Sequence, residues 1–206
     1  MRISPVIPVT RIPDGSDTDA LGEALLAGGM GVIEVTLRSD SAVASISRLA
    51  TQFGRLCVGA GTVWTAEQAH AVIDAGAEFI VSPGIAMPVF EVCHQRDIPI
   101  LPGAQTASEI AHWVSHGLDA VKFFPAHHAG GIELLKSFVA VFPALQFCPT
   151  GGISQGNAAG YLSLPAVPCV GGSWLATADD IATGNWSRIT ARCTAAASIA
   201  SQPRGT

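Results

Sequence analysis

The chain has 206 residues, of which 49% are hydrophobic and 13% charged, and a formal net charge of −5. This composition predicts one globular domain over residues 1–206, whose core is large enough to fold without a metal ion or a disulfide. The acidic balance argues against a nucleic-acid partner and against a membrane-binding basic patch. Because no apolar run reaches the roughly 18 residues of a spanning helix and no signal peptide is recognisable, we expect a cytoplasmic protein.

Short apolar segments alternate with amphipathic helical stretches about eight times along the chain. In chain order, the predicted strands are Val6–Thr10, Gly31–Leu37, Leu56–Ala60, Glu78–Ser82, Ile98–Pro102, Ala120–Phe124, Gln146–Thr150 and Pro168–Gly172. Two of the helices should begin with capping boxes, at Thr65–Gln68 and Thr106–Glu109. The glycines that should end the helices before the second, fourth and sixth strands are Gly28, Gly76 and Gly117.

Strict alternation of strands and helices predicts an α/β fold with a parallel sheet, either a closed (β/α)8 TIM barrel or an open doubly wound sheet. Eight units favour the barrel, and about 200 residues is the lower size limit for one, so a second domain has little room. The open sheet lacks its dinucleotide fingerprint, because in Gly59–Trp64 a tryptophan replaces the third glycine. We therefore expect a single-domain TIM barrel.

The five cysteines are widely spaced in apolar sequence, which is typical of reduced, buried thiols. The sequence has no C-x-x-C, H-x-H or H-E-x-x-H pattern. The adjacent His127 and His128 lie in the glycine-flanked segment "FFPAHHAGG", and two consecutive side chains rarely converge on one metal ion. We expect a solvated pair of loop histidines, no metal site and no cofactor.

Two ionisable residues occur where barrel strands should be apolar on both faces. Glu34 is in the middle of "GVIEVTLRS", and Lys122 lies between Val121 and Phe123. Side-chain alternation turns Glu34 into the barrel, and the same parity turns Lys122 and Phe124 inward. Burial of an ammonium group is costly. A functional role for Lys122 is therefore favoured over a side chain that snorkels to solvent or an ion pair that only organises the core.

Further polar groups should meet this pair at the C-terminal mouth of the barrel, where barrel enzymes keep their active sites. Arg38 follows the second strand and could hold a substrate carboxylate by two hydrogen bonds. Thr62 follows the third strand, and Thr150 ends the seventh. The last two strands lead into loops that often bind phosphate through backbone N–H groups, and their glycine pairs are Gly151–Gly152 and Gly171–Gly172, the second followed by Ser173.

This combination of groups suits carbonyl chemistry. A desolvated lysine can attack a ketone and form a Schiff base, while a nearby carboxylate carries protons to and from each intermediate. The guanidinium group and the glycine loops would then bind the two anionic ends of a substrate.

Seven motifs, in this order, resemble the 2-keto-3-deoxy-6-phosphogluconate (KDPG) aldolases, a family that includes the 4-hydroxy-2-oxoglutarate (KHG) aldolases. The resemblance runs from about Pro5 to about Arg192 through "GGMGVIEVTLRS", "VGAGTV", "GAEFIVSPG", "PILPGAQTASE", "AVKFFPA", "FCPTGGI" and "CVGGSWL". It implies a metal-independent Schiff-base aldolase on a (β/α)8 barrel, assembled as a homotrimer. Such an enzyme splits a phosphorylated keto-acid into pyruvate and glyceraldehyde 3-phosphate.

The resemblance also implies roles for individual residues. Lys122 in "KFFPA" matches the Schiff-base lysine of the family, and Glu34 in "EVTLR" matches its general acid/base. Arg38 and Thr62 match positions that bind the carboxylate end of the substrate. The remaining matches are Pro83 and Phe124 in the pocket, Gly151, Gly152 and Ser173 in the phosphate loops, and Arg11, a basic position after the first strand that only some members share.

Two features depart from the family pattern. The chain begins almost directly at the first strand, whereas relatives often carry an N-terminal helix that can cover the barrel base. In addition, "AHHAGG" replaces a loop that is often acidic. The substrate could therefore be KHG or the galactonate epimer of KDPG. Two further alternatives are a barrel isomerase or decarboxylase that uses Lys122 as an electrostatic clamp, and a catalytically silent barrel that binds phosphorylated metabolites.

Overall fold

The computed structural model describes residues 4–199. Its strands are β1 Val6–Thr10, β2 Val32–Thr36, β3 Cys57–Gly61, β4 Phe79–Val81, β5 Ile100–Leu101, β6 Gly103–Ala104, β7 Ala120–Phe123, β8 Gln146–Pro149 and β9 Val170–Gly172. Its helices are α1 Thr18–Ala27, α2 Ala42–Gln52, α3 Ala66–Asp74, α4 Met87–Gln95, α5 Ala107–Ser115, α6 Gly131–Val141, α7 Ala158–Leu162, α8 Ala178–Ala182 and α9 Trp186–Ile199.

The strands are parallel and form a closed ring. Hydrogen bonds join the strands into two runs of neighbours, one in the order β5-β4-β3-β2-β1-β9 and the other in the order β6-β7-β8. Thr150, directly after β8, forms a bridge with Gly171 in β9. On the other side, the backbone N–H of Lys122 donates to the carbonyl of Pro102, between β5 and β6, at 2.8 Å. These two contacts join the runs, so the predicted (β/α)8 barrel is confirmed.

The fifth barrel strand is the one whose predicted bounds are wrong. The expected segment Ile98–Pro102 is observed as two short pieces, β5 and β6, on either side of Pro102. Proline has no backbone N–H to donate to a neighbouring strand, so the ladder is interrupted there. Gly103 then continues the strand, in close contact with the backbone of Pro83, where a Cβ atom would overlap the carbonyl group. The other seven predicted strands agree with the structure to within two residues at each end.

The helix termini follow the predicted signals. The Thr65 hydroxyl accepts from the Gln68 N–H, and the Thr106 hydroxyl accepts from the Glu109 N–H, with both capping boxes complete. Gly28 caps the C-terminus of α1. The glycines that follow the ends of α3 and α5, in left-handed conformation with φ of 96° and 81°, are Gly76 and Gly117. No helix within residues 4–199 is both long enough and apolar enough to cross a membrane.

The hydrophobic side chains divide into two layers. Ile33, Val35 and Phe123 belong to the large layer between the strands and the surrounding helices. A smaller cluster fills the barrel lumen, and its buried members are Ile7, Val32, Val81, Leu101, Cys148 and Cys169. A cavity of about 400 Å³ opens at the N-terminal ends of the strands, at the base of the barrel. Alternation along β2 thus directs Val32 and Glu34 to the lumen and Ile33 and Val35 to the helices.

Four of the five cysteines are buried, as their apolar sequence surroundings predict, and Cys57 is an exception. All five are free thiols, four of them buried and Cys57 half-buried. Burial raises the pKa of Cys93 to about 11 and that of Cys193 to about 12. These thiols therefore remain protonated at neutral pH and act as packing groups.

A buried carboxylate joins the last two helices. Asp180 in α8 accepts hydrogen bonds from the Thr177 hydroxyl at 2.6 Å, from Arg192 Nη1 at 2.5 Å and from Arg188 Nη1 at 3.1 Å. Burial alone raises the pKa of Asp180, but the hydrogen bonds from Thr177 and Arg192 outweigh it and hold the pKa below its ordinary value. The ionised form therefore stabilises the packing of α8 against α9.

We expect Asp180→Asn to lower the free energy of unfolding at pH 7 by about 2 kcal/mol, because the two arginines lose their counter-charge. The depressed pKa means that this stabilisation is present above the ordinary Asp pKa of about 3.9 and is lost as the pH falls through the folded-state pKa. Urea unfolding at pH 7 and at about pH 3 measures the difference between wild type and variant, which should shrink in acid.

Asp19→Asn is the matched control, because it breaks a pair with Arg48 in which both side chains are largely exposed. Exposed pairs contribute little to stability, so its urea midpoint should stay close to that of the wild type. Equal effects of the two substitutions would contradict the role given to Asp180.

Candidate active site

The two ionisable strand residues meet inside the barrel. Lys122 in β7 is 6% exposed and Glu34 in β2 is 4% exposed. The Lys122 Nζ atom lies 3.3 Å from Glu34 Oε1. The structure thus brings both side chains to the lumen, as the alternation of inward and outward residues predicts. An amine held out of water beside a carboxylate can exchange a proton with it over a single hydrogen bond.

Two neighbours shape the space around this pair. Gly61 in β3 lies against the Glu34 carboxylate, so closely that a Cβ atom on Gly61 would overlap Oε1. The ring of Phe124 covers the ammonium group, with 5.1 Å between Lys122 Nζ and the ring centroid. An aromatic face attracts a cation without donating or accepting a proton. Within residues 4–199, Glu34 is therefore the one group that accepts a hydrogen bond from the amine.

Arg38 lies at the mouth and is oriented by a chain of hydrogen bonds. Its Nε donates to the Thr36 hydroxyl at 3.1 Å, and that hydroxyl donates to the Thr10 carbonyl at 3.0 Å. Arg11 Nε donates to the Arg38 carbonyl at 2.9 Å. Within residues 4–199, the two terminal nitrogens of Arg38 have no hydrogen-bond partner. They are available for a bidentate contact with a carboxylate.

Thr36 is a site residue that the sequence analysis missed as such. It is 2% exposed and is the middle member of the chain from Thr10 to Arg38. The sequence did contain a signal for Thr36, because this polar residue lies on the inward face of β2, two positions after Glu34 and two before Arg38. The sequence does not reveal the hydrogen-bond partners of Thr36, because its acceptor, the Thr10 carbonyl, belongs to another strand.

The predicted pocket residues after β3 and β4 lie at the same end of the barrel. Thr62 directly follows β3 and has a φ of 61°. A β-branched residue rarely adopts this left-handed conformation, because it strains the backbone. The strain persists only where the surrounding structure holds the residue in place. Pro83 follows β4, and its backbone contacts Gly103 of β6. The structure therefore holds both residues at the strand ends next to Gly61 and the fifth strand.

The two glycine loops lie side by side after β8 and β9. Gly151 and Gly152 have φ angles of 93° and 73°, and Thr150 before them is buried against Gly171. Gly172 ends β9, packed under the Trp174 ring, and Ser173 is exposed. Within the described part of the chain, the backbone N–H groups of Gly152 and Ser173 donate no hydrogen bond. Free N–H groups in such loops form anion-binding concavities.

A family model, described as KDPG and KHG aldolase, matches residues 1–192. The chain belongs to the KDPG and KHG aldolase family. It is 42% identical over 190 residues to the KHG/KDPG aldolase of Escherichia coli strain K12. The matched region covers 92% of this chain and 89% of the relative. It is 44% identical over 186 residues to the 2-dehydro-3-deoxy-phosphogluconate aldolase of Pseudoalteromonas atlantica, covering 90% and 86% of the two chains.

Solved structures agree with the family assignment. The KDPG aldolase of Legionella pneumophila, crystallised with pyruvate as a covalent carbinolamine intermediate, superposes with a TM-score of 0.92 at 45% identity and covers 95% of each chain. This chain thus shares its fold with a KDPG aldolase that has been captured with pyruvate attached covalently.

We expect Gly61→Ala to lower the free energy of unfolding by about 2 kcal/mol, because the added Cβ overlaps the Glu34 carboxylate and the strand must shift. Urea unfolding measures the loss. In a Glu34→Ala background the same substitution should have a much smaller effect, because the overlapping atoms are absent.

The control is Gly54→Ala, since nothing lies within 4 Å of the Cβ position of Gly54. This variant should keep the wild-type urea midpoint. If Gly61→Ala were equally destabilising with and without the Glu34 carboxylate, the close contact between Gly61 and Glu34 would not be the cause.

Proposed function

We propose that the chain is a Schiff-base aldolase that cleaves KDPG to pyruvate and glyceraldehyde 3-phosphate. The observation that carries this proposal is the Lys122 amine, held in the barrel lumen 3.3 Å from the Glu34 carboxylate. Membership of the family and the relatives named 2-dehydro-3-deoxy-phosphogluconate aldolase support the same substrate. The covalent pyruvate adduct of the Legionella enzyme supports the same class of intermediate.

The reaction begins with proton transfer inside the buried pair. Glu34 takes a proton from the Lys122 ammonium, and the neutral amine attacks the C2 ketone to give a carbinolamine. Glu34 then returns a proton to the C2 hydroxyl, which leaves as water while the nitrogen lone pair forms the iminium. One carboxylate thus acts first as base and then as acid, which its position beside Nζ allows.

Bond cleavage uses the iminium as an electron sink. Glu34, now ionised, takes the proton of the C4 hydroxyl directly or through a water molecule. The C4–O bond becomes a carbonyl, the C3–C4 bond breaks, and its electrons form an enamine with the iminium carbon. After glyceraldehyde 3-phosphate leaves, C3 is protonated and water hydrolyses the pyruvate iminium, which restores the free Lys122 amine. A positioned acid/base of this kind contributes about 10²- to 10⁴-fold in rate.

Substrate binding is assigned to groups on both sides of the reacting carbon. Arg38 and Thr62 would hold the carboxylate next to C2, with Arg11 supporting Arg38 through its carbonyl. Pro83 and Phe124 would line the middle of the pocket. The phosphate would bind at the far end, where the proposed ligands are Thr150, Gly151, Gly152, Gly172 and Ser173. This mechanism needs no metal ion and no cofactor.

A second substrate remains a specific alternative. KHG has a carboxylate where KDPG has its phosphate-bearing end, and the family contains enzymes for both compounds. Within residues 4–199, the N–H groups of Gly152 and Ser173 donate no hydrogen bond, and we take them as ligands for the phosphate of KDPG. Rates of pyruvate release from KDPG, its galactonate epimer and KHG would rank the three. A silent phosphate-binding barrel would bind KDPG and release no pyruvate.

Assembly and location are also part of the proposal. The family resemblance supports a homotrimer, which sedimentation analysis would test. The five free cysteines support a reducing compartment, and therefore a cytoplasmic location.

We expect borohydride treatment in the presence of pyruvate to label Lys122 irreversibly, because reduction converts the iminium to a stable secondary amine. Mass spectrometry of proteolytic peptides identifies the site. Lys122→Arg should abolish both labelling and KDPG cleavage, since a guanidinium group does not form the iminium. The chain offers a matched control, because its other lysine, Lys136, is an exposed residue paired with Glu133.

Lys136→Arg should be labelled and active like the wild type. A label on a residue other than Lys122 would contradict the assignment. Turnover without any label would favour the alternative in which Lys122 acts only as an electrostatic clamp.

We expect Glu34→Gln to lower kcat for KDPG cleavage by about 10²- to 10⁴-fold, because the amide keeps the size of the side chain but cannot move protons. Steady-state kinetics measures the loss. Glu133→Gln is the control, because that carboxylate is exposed and outside the lumen. A Glu34→Gln enzyme with wild-type kcat would exclude Glu34 as the acid/base.

A further inference from the structure

The turn that follows β9, residues 173–176 (the β9 turn), is tied to helix α9 by one side chain. Arg192 of α9 donates a hydrogen bond from Nη1 to the Trp174 carbonyl at 3.0 Å. The same nitrogen donates to Asp180 Oδ2 at 2.5 Å. Trp174 directly follows Ser173, whose N–H group is a proposed phosphate ligand. Arg192 therefore connects the phosphate end of the proposed site to α8 and α9.

A buried carboxylate holds the Arg192 guanidinium in place. The Asp180 side chain is 2% exposed and also accepts from the Thr177 hydroxyl at 2.6 Å. A charge-assisted hydrogen bond to such a fixed carboxylate restricts the orientation of the guanidinium. Nη1 carries two hydrogens, and its two acceptors use both of them. This nitrogen has none left for a phosphate, so it can influence phosphate binding only through the Trp174 carbonyl.

The β9 turn is anchored at two points by side chains from elsewhere in the chain. Ala176, at the far end of the turn, is buried, and its carbonyl accepts from the Thr10 hydroxyl at 3.4 Å. Within residues 4–199, Thr10 and Arg192 are the two side chains outside the turn that donate to its backbone. The bond from Arg192 is the shorter one, has a charged donor and is next to Ser173. Arg192 is therefore the anchor that matters most for the Ser173 end of the turn.

We propose that Arg192 is a positioning residue for the phosphate end of the substrate. By holding the Trp174 carbonyl, Arg192 restricts rotation of the peptide groups in the β9 turn, and so fixes the direction of the Ser173 N–H before substrate binds. A turn that is already ordered loses less conformational entropy on binding, which makes the affinity higher. The inference rests on the proposed function and deepens it, because it assigns support of the phosphate site to α9.

The test replaces Arg192 with methionine, which keeps a long unbranched side chain but has no N–H donor. Loss of the hydrogen bond from a charged donor should raise the KM for KDPG about tenfold. The kcat should stay at the wild-type value, because the turn supports binding and does not touch the reacting carbons. Steady-state kinetics separates this result from a loss of stability, since a partly unfolded preparation has a lower kcat and an unchanged KM.

Arg188→Met is the matched control. Arg188 Nη1 also donates to Asp180, at 3.1 Å, but within residues 4–199 it donates no hydrogen bond to the β9 turn. Its side chain is 56% exposed, so its removal should change the KM for KDPG by less than about twofold. An equal rise in KM for both variants would overturn the proposal, because the lost pairing with Asp180 would then be the cause. An unchanged KM in Arg192→Met would also overturn it.

Pyruvate separates the phosphate end from the rest of the pocket, because it has no phosphate. The pyruvate concentration that gives half-maximal borohydride labelling of Lys122 should be the same in Arg192→Met and in the wild type. A rise in this concentration as large as the rise in the KM for KDPG would overturn the proposal, since Arg192 would then support the pocket as a whole.

Binding of glycerol 3-phosphate, a simple phosphate monoester, provides a readout that does not depend on turnover. Titration calorimetry should give an affinity about tenfold weaker for Arg192→Met than for the wild type, and a wild-type affinity for Arg188→Met. Equal affinities of Arg192→Met and the wild type, or no binding to the wild type, would overturn the role of Arg192. Absence of KDPG cleavage or of pyruvate-dependent labelling in the wild type would contradict the proposed function instead, and the calorimetric result would still decide this inference.

Discussion

The site depends on one ion pair in the barrel lumen, between Lys122 and Glu34. Desolvation of an ammonium and a carboxylate is costly, and two apolar side chains of similar volume would often stabilise a core as well or better. The pair is nevertheless buried to 6% and 4% exposure, with a glycine making room for the carboxylate and an aromatic face over the amine. These neighbours accommodate the pair and add no competing proton acceptor. A chemical role therefore explains the burial of this pair better than a contribution to stability does.

The two sides of the barrel next to this pair differ in chemistry, and we propose that each binds one anionic end of the substrate. On the side of β1 and β2, Arg38 supplies a permanent charge, oriented by Thr36 and Thr10 in a continuous chain of hydrogen bonds. On the side of β8 and β9, residues 150–178 include no Lys or Arg, and within residues 4–199 the N–H groups of Gly152 and Ser173 donate no hydrogen bond. A keto-acid with a carboxylate at one end and a phosphate at the other fits this division. The bidentate geometry of a guanidinium suits the carboxylate, and a concave backbone suits the phosphate.

Much of the fold and part of the site could be predicted from the sequence because they follow from periodicity. The alternation of strands and helices identified a parallel barrel, and the two-residue period of a strand identified which face Glu34 and Lys122 would occupy. The predicted bounds of the fifth strand were wrong. Pro102 has no N–H to donate, and its effect on the strand depends on which neighbouring strand would have accepted that hydrogen bond. Thr36 was missed as a positioning residue, because its partners Thr10 and Arg38 are defined by strand pairing.

By itself, the sequence determined the residue types and their order: two lysines, one of them in an apolar strand, a glutamate in another, and glycine pairs after the last two strands. These features are local, so pattern and composition reveal them. Only the tertiary structure decided the distances: 3.3 Å between Lys122 and Glu34 across 88 residues, and the contact of His127 with the loop of Gly152. Closure of the barrel sets such distances, because it brings together strand ends that are remote in the chain and no local pattern encodes their separation.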